Sequence, residues 1–190
     1  MSKTKNIMIV GVGGQGTLLA SRILGNLVIS EGYDVKVSEV HGMSQRGGSV
    51  ITYVKYGEKV YSPIIDKGEA DIILAFERLE AIRALPYLKK GGKIILNDRA
   101  IAPMPVITGS AVYPDGIVEN LKEKAEVLAI DALSLSIEAG SPKAVNVVLI
   151  GVLAKSSEIE KEKWIQTIKE TVPPKFLDLN LKAFELGYNS

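Results

Sequence analysis

The segment Ile7-Met8-Ile9-Val10-Gly11-Val12-Gly13-Gly14-Gln15-Gly16 decides the fold of the chain. Four consecutive apolar residues ending in glycine read as a strand buried on both faces of a parallel sheet, since such a strand has no wet face to alternate toward. After the glycines the period changes. Leu18, Leu19, Ile23, Leu24, Leu27 and Val28 recur at helical spacing over residues 15–30, and Gly32 stands where a C-terminal cap belongs. A strand, a glycine-rich turn and a helix in that order meet the structural condition for a dinucleotide-type fingerprint.

Two readings of the turn stand side by side. Gly11, Gly13, Gly14, Gln15 and Gly16 could bind a diphosphate, because the glycines permit close approach while N–H groups and the helix dipole favour negative charge. They could equally serve only to seat the helix tightly on the strand. Glu39 follows 23 positions after Gly16, roughly where a ribose-binding acid would sit, but it also opens an aperiodic loop and could be solvated.

The βαβ rhythm continues outward from this unit. Residues 35–37 read as a second strand, and residues 39–48, with three glycines and no periodicity, as a loop. Residues 50–56 are β-branched and aromatic, and are expected to pair across Gly57-Glu58 with Lys59-Val60-Tyr61 as an edge hairpin. Residues 71–76 form another buried strand, followed by a helix over 77–88 and a strand over 93–96. Pro103, Pro105 and Pro114 keep residues 102–114 extended, with a short strand expected near Val106-Ile107.

A helix over 117–124 and a strand over 127–130 come next. From Asp131 the pattern is helical, over 131–139, 144–156 and 158–171, and after Pro173-Pro174 a last helix aligns Leu177, Leu181, Phe184 and Tyr188 on one face. No repeat, low-complexity tract or dividing linker occurs, so residues 1–190 are expected to form one domain. The expected class is α/β: a Rossmann-like open, mostly parallel sheet with an antiparallel edge hairpin and a helical C-terminal part, in three layers.

Composition narrows the functions. The chain is 46% hydrophobic and 24% charged, which suits a packed globule. With 23 Lys and Arg against 22 Asp and Glu it has no net field to draw in nucleic acid or an anionic membrane. The apolar run 145–154 is interrupted by Asn146 and Gly151 and is too short to span a hydrocarbon core of about 30 Å. The four apolar residues before Gly11, with no cleavage site, make a poor signal sequence, so the cytoplasm is the expected location. There is no cysteine and a single histidine, His41, so the chain cannot ligate an iron–sulfur cluster and no metal site is expected.

In an open α/β sheet, ligands gather beyond the carboxyl ends of the strands. The glycine turn, the 39–48 loop, Glu77 and Asn97-Asp98 all follow expected strands directly and should share that rim. Within the loop, His41, Ser44, Gln45 and Arg46 supply a titratable ring, a hydroxyl, an amide and a cationic fork suited to phosphate or carboxylate. The alternative is a polar surface loop without a task. Tyr53, Tyr56 and Tyr61 are read as covering the core rather than as a partner patch.

Val-Gly-Val-Gly-Gly-Gln-Gly at 10–16 and Ser-Glu-Val-His-Gly-Met-Ser-Gln-Arg-Gly-Gly-Ser-Val at 38–50 together resemble the gamma-type subunit family of 2-oxoacid:ferredoxin oxidoreductases. Tyr61-Ser62-Pro63, Gly68-Glu69-Ala70-Asp71, residues 77–83, residues 146–151 and Asn180-Leu181-Lys182-Ala183-Phe184 extend the similarity over nearly the whole chain, most closely to the indolepyruvate branch. The resemblance implies a part in oxidative decarboxylation of an aryl 2-oxoacid with coenzyme A as cosubstrate and ferredoxin as electron acceptor. It places thiamine diphosphate, magnesium and [4Fe–4S] clusters on a larger alpha subunit. It sets the loop near a shared active site, where Ser44, Gln45 or Arg46 would contact coenzyme A or the oxoacid. Three alternatives remain: an NAD-dependent dehydrogenase, suggested by the turn and Glu39; an adenylating enzyme of the ubiquitin-activating type, at odds with the missing cysteines; and a purely structural assembly subunit.

Overall fold

A computed structural model describes residues 4–41 and 47–190, with the side chain of His41 outside the described set. Alternation in β1 (Lys5–Val12) organises everything else. Its odd residues Ile7 and Ile9 point into one apolar cluster and its even residues Met8 and Val10 into another, so the strand needs cover on both faces. It lies in a six-stranded sheet of order β2-β3-β1-β4-β5-β6, with β2 Asp34–His41, β3 Ser49–Gly57, β4 Ala70–Ala75, β5 Leu88–Asn97 and β6 Glu126–Ile130. Only β3 runs against its neighbours.

One face carries α1 (Thr17–Ser30), α6 (Val145–Lys155), α7 (Lys161–Thr171) and α8 (Leu177–Asn189), with α5 (Ala132–Ala139) beside α6 and α8. Every residue of α6 from Val145 to Ala154 is buried, which is why the 145–154 run is apolar all round instead of amphipathic. The other face carries the short α2 (Arg78–Ala84) and α4 (Ile117–Lys124), with the four-residue α3 (Met104–Ile107) in the segment between β5 and α4. The result is the expected three-layer, open, mostly parallel α/β fold with a helical C-terminal part.

Three local expectations are corrected. The edge hairpin exists, but β3 pairs with β2 and β1, not with Lys59-Val60-Tyr61, and no strand forms at 59–61. Val60 does turn inward, while Tyr61 is 87% exposed, so the core reading holds for half-buried Tyr53 and Tyr56 and fails for Tyr61. Val106 and Ile107 lie in α3 instead of a strand. Pro105 sits in the first turn of that helix, where its missing N–H has no helical partner to lose.

Candidate functional site: the carboxyl rim of the sheet

The chain steps left from β1 to β2 and β3 and then crosses to β4 on the right of β1, so the topological switch point lies between β1 and β4. Gln15 occupies that crevice. Its Oε1 accepts from the Val12 N–H at 2.7 Å and its Nε2 donates to the Phe76 carbonyl at 3.0 Å, which ties the ends of β1 and β4 together. Asn97 Nδ2 donates to the same carbonyl at 3.1 Å, and Asn97 Oδ1 accepts from Ala132 N–H at 3.2 Å. Two side-chain amides thus satisfy the strand ends where the ladders stop.

The glycines divide between the two roles left open by the sequence. A Cβ on Gly11 would stand 2.9 Å from Gln15 Oε1 and 3.0 Å from Phe76 Cβ, and one on Gly16 would stand 2.6 Å from Asn146 Nδ2. Both positions are close-packing sites. Gly14 has φ +98° and nothing within 4 Å of where a Cβ would be, so it needs glycine for its backbone and faces open space. Gly13 N–H donates to Gly48 carbonyl at 2.9 Å and Gln15 N–H to Val12 carbonyl at 3.2 Å, so these N–H groups serve the fold. No side chain among the described residues caps α1.

Glu39 does not open a loop. It lies within β2, and its Oε2 accepts from the buried Thr52 Oγ1 at 3.0 Å across the β2–β3 ladder. Because β3 is inserted between β2 and β1, the acid stands two strand spacings from β1, about 9–10 Å, instead of the one spacing a ribose-binding acid has. His41 ends β2 with its backbone paired to Val50; its side chain and Ser44, Gln45 and Arg46 lie outside the described residues.

Glu77, Asn97 and Asp98 do share the rim with the turn, and they hold it together. Glu77 is buried; its Oε1 accepts from Ile101 N–H at 3.0 Å and from the Tyr113 hydroxyl, and its Oε2 accepts from Glu80 N–H at 2.9 Å, capping α2. Burial, then the bond to Glu77, pushes the Tyr113 hydroxyl well above the ordinary phenol range. Arg78 Nε meets Asp98 Oδ1 at 2.5 Å, which raises the guanidinium further and keeps it charged, and Arg78 N–H donates to Arg99 carbonyl. Ser49 Oγ donates to Glu80 Oε2 at 2.5 Å. The sequence did not single out Gln15 as a clip, nor Glu80, Tyr113 or Asn146; the one signal available was polar residues placed where an apolar pattern expects none.

Beside the rim, the segment after β5 exposes Met104, Ile107 and Val112. A cavity of about 600 Å³ opens at the opposite pole among Lys5, Tyr56, Asp71, Glu158, Lys163 and Trp164, away from every candidate residue. Among the described residues no three His, Asp or Glu side chains gather as a metal site, and no helix is long and apolar enough to cross a membrane.

This fold is that of the gamma subunits of oxoacid oxidoreductases. It matches the keto/oxoacid ferredoxin oxidoreductase gamma subunit of Geobacter sulfurreducens with a TM-score of 0.73 at 22% identity, covering 97% of this chain and 96% of that one. The pyruvate oxidoreductase subunit PORC of Thermotoga maritima matches with a TM-score of 0.75 at 18% identity, covering 99% and 97%. The chain belongs to the pyruvate ferredoxin/flavodoxin oxidoreductase family, whose model matches residues 6–190. Among its relatives, the indolepyruvate oxidoreductase subunits IorB of Pyrococcus horikoshii and Thermococcus kodakarensis are 48% and 47% identical, each over 97% of this chain and 95% of that protein. A more distant relative, the ketoisovalerate oxidoreductase subunit VorA of Methanothermobacter marburgensis, is 29% identical over 95% of this chain but only 35% of its own length.

Proposed function

We propose that the chain is the small subunit of an indolepyruvate:ferredoxin oxidoreductase and that its rim forms one wall of an active site completed by a larger subunit. The observation that carries this is identity of 47–48% over nearly the whole length of the IorB relatives, joined to a rim built from the turn and the loop stem. In the reaction the carboxylate of an aryl 2-oxoacid leaves as carbon dioxide, its acyl carbon forms the thioester with coenzyme A, and the electron pair passes to ferredoxin. The chain has no thiolate to hold a cluster, so the donor set here does not fit [4Fe–4S]; the clusters, with thiamine diphosphate and magnesium, belong to the larger alpha subunit. The complex is cytoplasmic.

Of the loop residues His41, Ser44, Gln45 and Arg46, we assign Arg46 the contact with coenzyme A or the oxoacid, because its planar fork suits a phosphate or a carboxylate. Gly11, Gly13, Gly14, Gln15 and Gly16 form the wall behind them and bind no cofactor of their own. The exposed Met104, Ile107 and Val112 suit burial against a partner. A relative of this fold, the 2-oxoglutarate:ferredoxin oxidoreductase of Magnetococcus marinus, was solved with 2-oxoglutarate, coenzyme A and succinyl-CoA bound; the match covers 98% of this chain and 31% of that one at a TM-score of 0.71.

The test is co-expression with the larger subunit and assay of both forms. The isolated chain should be inactive and should give no calorimetric signal with NAD, while the complex should reduce ferredoxin with indolepyruvate and coenzyme A. Arg46→Ala in the complex should lower kcat/KM for one of those two substrates by about tenfold or more, the cost of losing a charged hydrogen bond. Turnover by the chain alone would overturn the assignment. Unchanged kinetics with Arg46→Ala would leave only an assembly role for the loop.

A further inference from the structure

The crossover from β5 to α4 leaves the sheet at the carboxyl rim and comes back to where it started. Glu77 Oε1 accepts from Ile101 N–H at 3.0 Å and from the Tyr113 hydroxyl, so the two ends of residues 101–113 meet on one oxygen of one buried carboxylate. The other oxygen caps α2 through Glu80 N–H. The segment is therefore an Ω-loop closed at its neck. Inside it, Pro105 carbonyl accepts from Ser110 N–H at 2.8 Å, from Ala111 N–H at 3.0 Å and from Ser110 Oγ at 3.0 Å, while Thr108 Oγ1 donates to Met104 carbonyl at 3.0 Å. Glu77 and the loop's own hydrogen bonds fix its backbone.

The loop's side chains do not account for that order. An Ω-loop is ordinarily packed by its own side chains. Here no residue from 100 to 114 is buried, and Met104, Ile107 and Val112 are 64%, 66% and 87% exposed. Nor does the surface suit water: in a chain that is 24% charged, residues 100–114 contain no Asp, Glu, Lys or Arg. Charge is depleted and apolar area enriched at the centre of an interface, so an uncharged apolar surface has the composition of a lasting contact. Holding its backbone fixed beforehand removes an ordering cost that association would otherwise carry.

We propose that residues 101–113 are a preformed docking loop for the larger subunit, with Met104, Ile107 and Val112 as its apolar contact and the Glu77–Tyr113 bond holding the neck shut. The occupant follows from position. The loop begins just after Asn97, which shares the Phe76 carbonyl with Gln15, so its apolar surface continues the rim. This rests on the reading that the larger subunit covers that rim. A second copy of this chain is the competing occupant, and the experiment separates the two.

The experiment titrates the full chain and its variants into the larger subunit, reading the dissociation constant by calorimetry and the melting temperature of each chain alone. Ile107→Glu and Val112→Lys should each weaken association about tenfold or more and leave the melting temperature of the free chain unchanged, since both positions lie open to solvent. Ile29→Glu, at an exposed position in the last turn of α1 away from the rim, should change neither. Tyr113→Phe keeps the ring and frees one side of the neck. It should weaken association about fivefold, the equivalent of one hydrogen bond, and speed hydrogen exchange at residues 101–113 in the free chain, a difference that binding of the larger subunit erases. Val112→Lys keeps the result interpretable if Tyr113→Phe folds poorly. Parental affinity in Ile107→Glu and Val112→Lys would overturn the docking loop and leave the subunit assignment intact. Parental affinity in Tyr113→Phe alone would overturn the role of the neck. If the larger subunit does not bind the parental chain, the assignment falls and the proposal with it. If Ile107→Glu and Val112→Lys bind the larger subunit as the parent does but abolish a concentration-dependent dimer of this chain in sedimentation, the occupant is a second copy and the proposal is overturned.

Discussion

The two faces of the sheet are held by different physics. On the α1 and α6 side, Trp164, Phe184, Ile23, Leu24 and Leu27 are fully buried, and α6 and α8 cross so closely that Gly151 and Gly187 meet backbone. On the α2 and α4 side, helices of seven and eight residues cover the strands, and the connecting segments are stitched down by buried carboxylates. Apolar packing gives most of the free energy of folding but is indifferent to direction. Hydrogen bonds contribute less net stability and fix angle and distance. The rim is held by the second kind of contact.

The comparison predicts unequal damage. Gly187→Ala should be the most severe substitution on the packed face, since its Cβ would fall 1.9 Å from Val148 carbonyl oxygen and 3.0 Å from Val148 Cα, and no rotamer relieves a backbone clash. A loss of about 4 kcal/mol or outright failure to fold is expected, read from the urea midpoint or from soluble yield. A protein that tolerates this change with its stability intact would show that α6 and α8 can separate cheaply, and the contrast between the faces would lose its basis.

Glu77→Ala probes the stitched face and should cost about 3 kcal/mol, because it strands the Ile101 and Glu80 N–H groups and the Tyr113 hydroxyl at once. The damage should be local. Hydrogen exchange should rise at residues 99–116 and at the start of α2, while amides of α6 and α8 keep their protection. Uniform loss of protection across both faces would mean that the stitches carry global stability and not merely position.

The same contrast explains what could be read from the sequence. β1, its glycine turn and α1 were legible because each is local: a change of period from apolar run to helical spacing, with glycine between, needs no knowledge of the rest of the chain. The rim convergence was legible because strands of a parallel sheet all end on one side. The insertion of β3 between β2 and β1 was not, since alternation in residues 50–56 fits several partners, and Lys59-Val60-Tyr61 has the composition of a strand. That one pairing moved Glu39 away from the turn. Gln15 was read as a possible diphosphate contact, Glu77 as a rim residue and Glu80 only as part of a helix, because a polar side chain shows its role only when the groups it satisfies are known. Their partners, Phe76, Ile101 and Ser49, are 61, 24 and 31 positions away.

The smallest effect is expected from Tyr56, on the packed face at the pole opposite the rim. Its ring meets Tyr33 edge-on, with centroids 5.5 Å apart, and burial, reinforced by Tyr33, Asp71 and Glu158, pushes its hydroxyl from 10.0 up to about 12. The folded state therefore holds the phenol proton more tightly than the unfolded chain. Between pH 10 and 12 unfolding releases that proton, so stability is complete below pH 10 and declines as pH rises through 12, by about 2 kcal/mol from this group. At neutral pH the effect is nil. Tyr56→Phe keeps the ring and removes the titration, so its urea midpoint should fall less steeply between pH 10 and 12 than that of the parent, with the residual slope coming from Tyr113 and Tyr53 and from Lys89 and Lys163, whose protons the folded state also holds more tightly. Absorbance of tyrosinate at high pH gives an independent count. If the slope is the same with and without the Tyr56 hydroxyl, that group ionises as it would in water, and the packing of this face ends short of the pole.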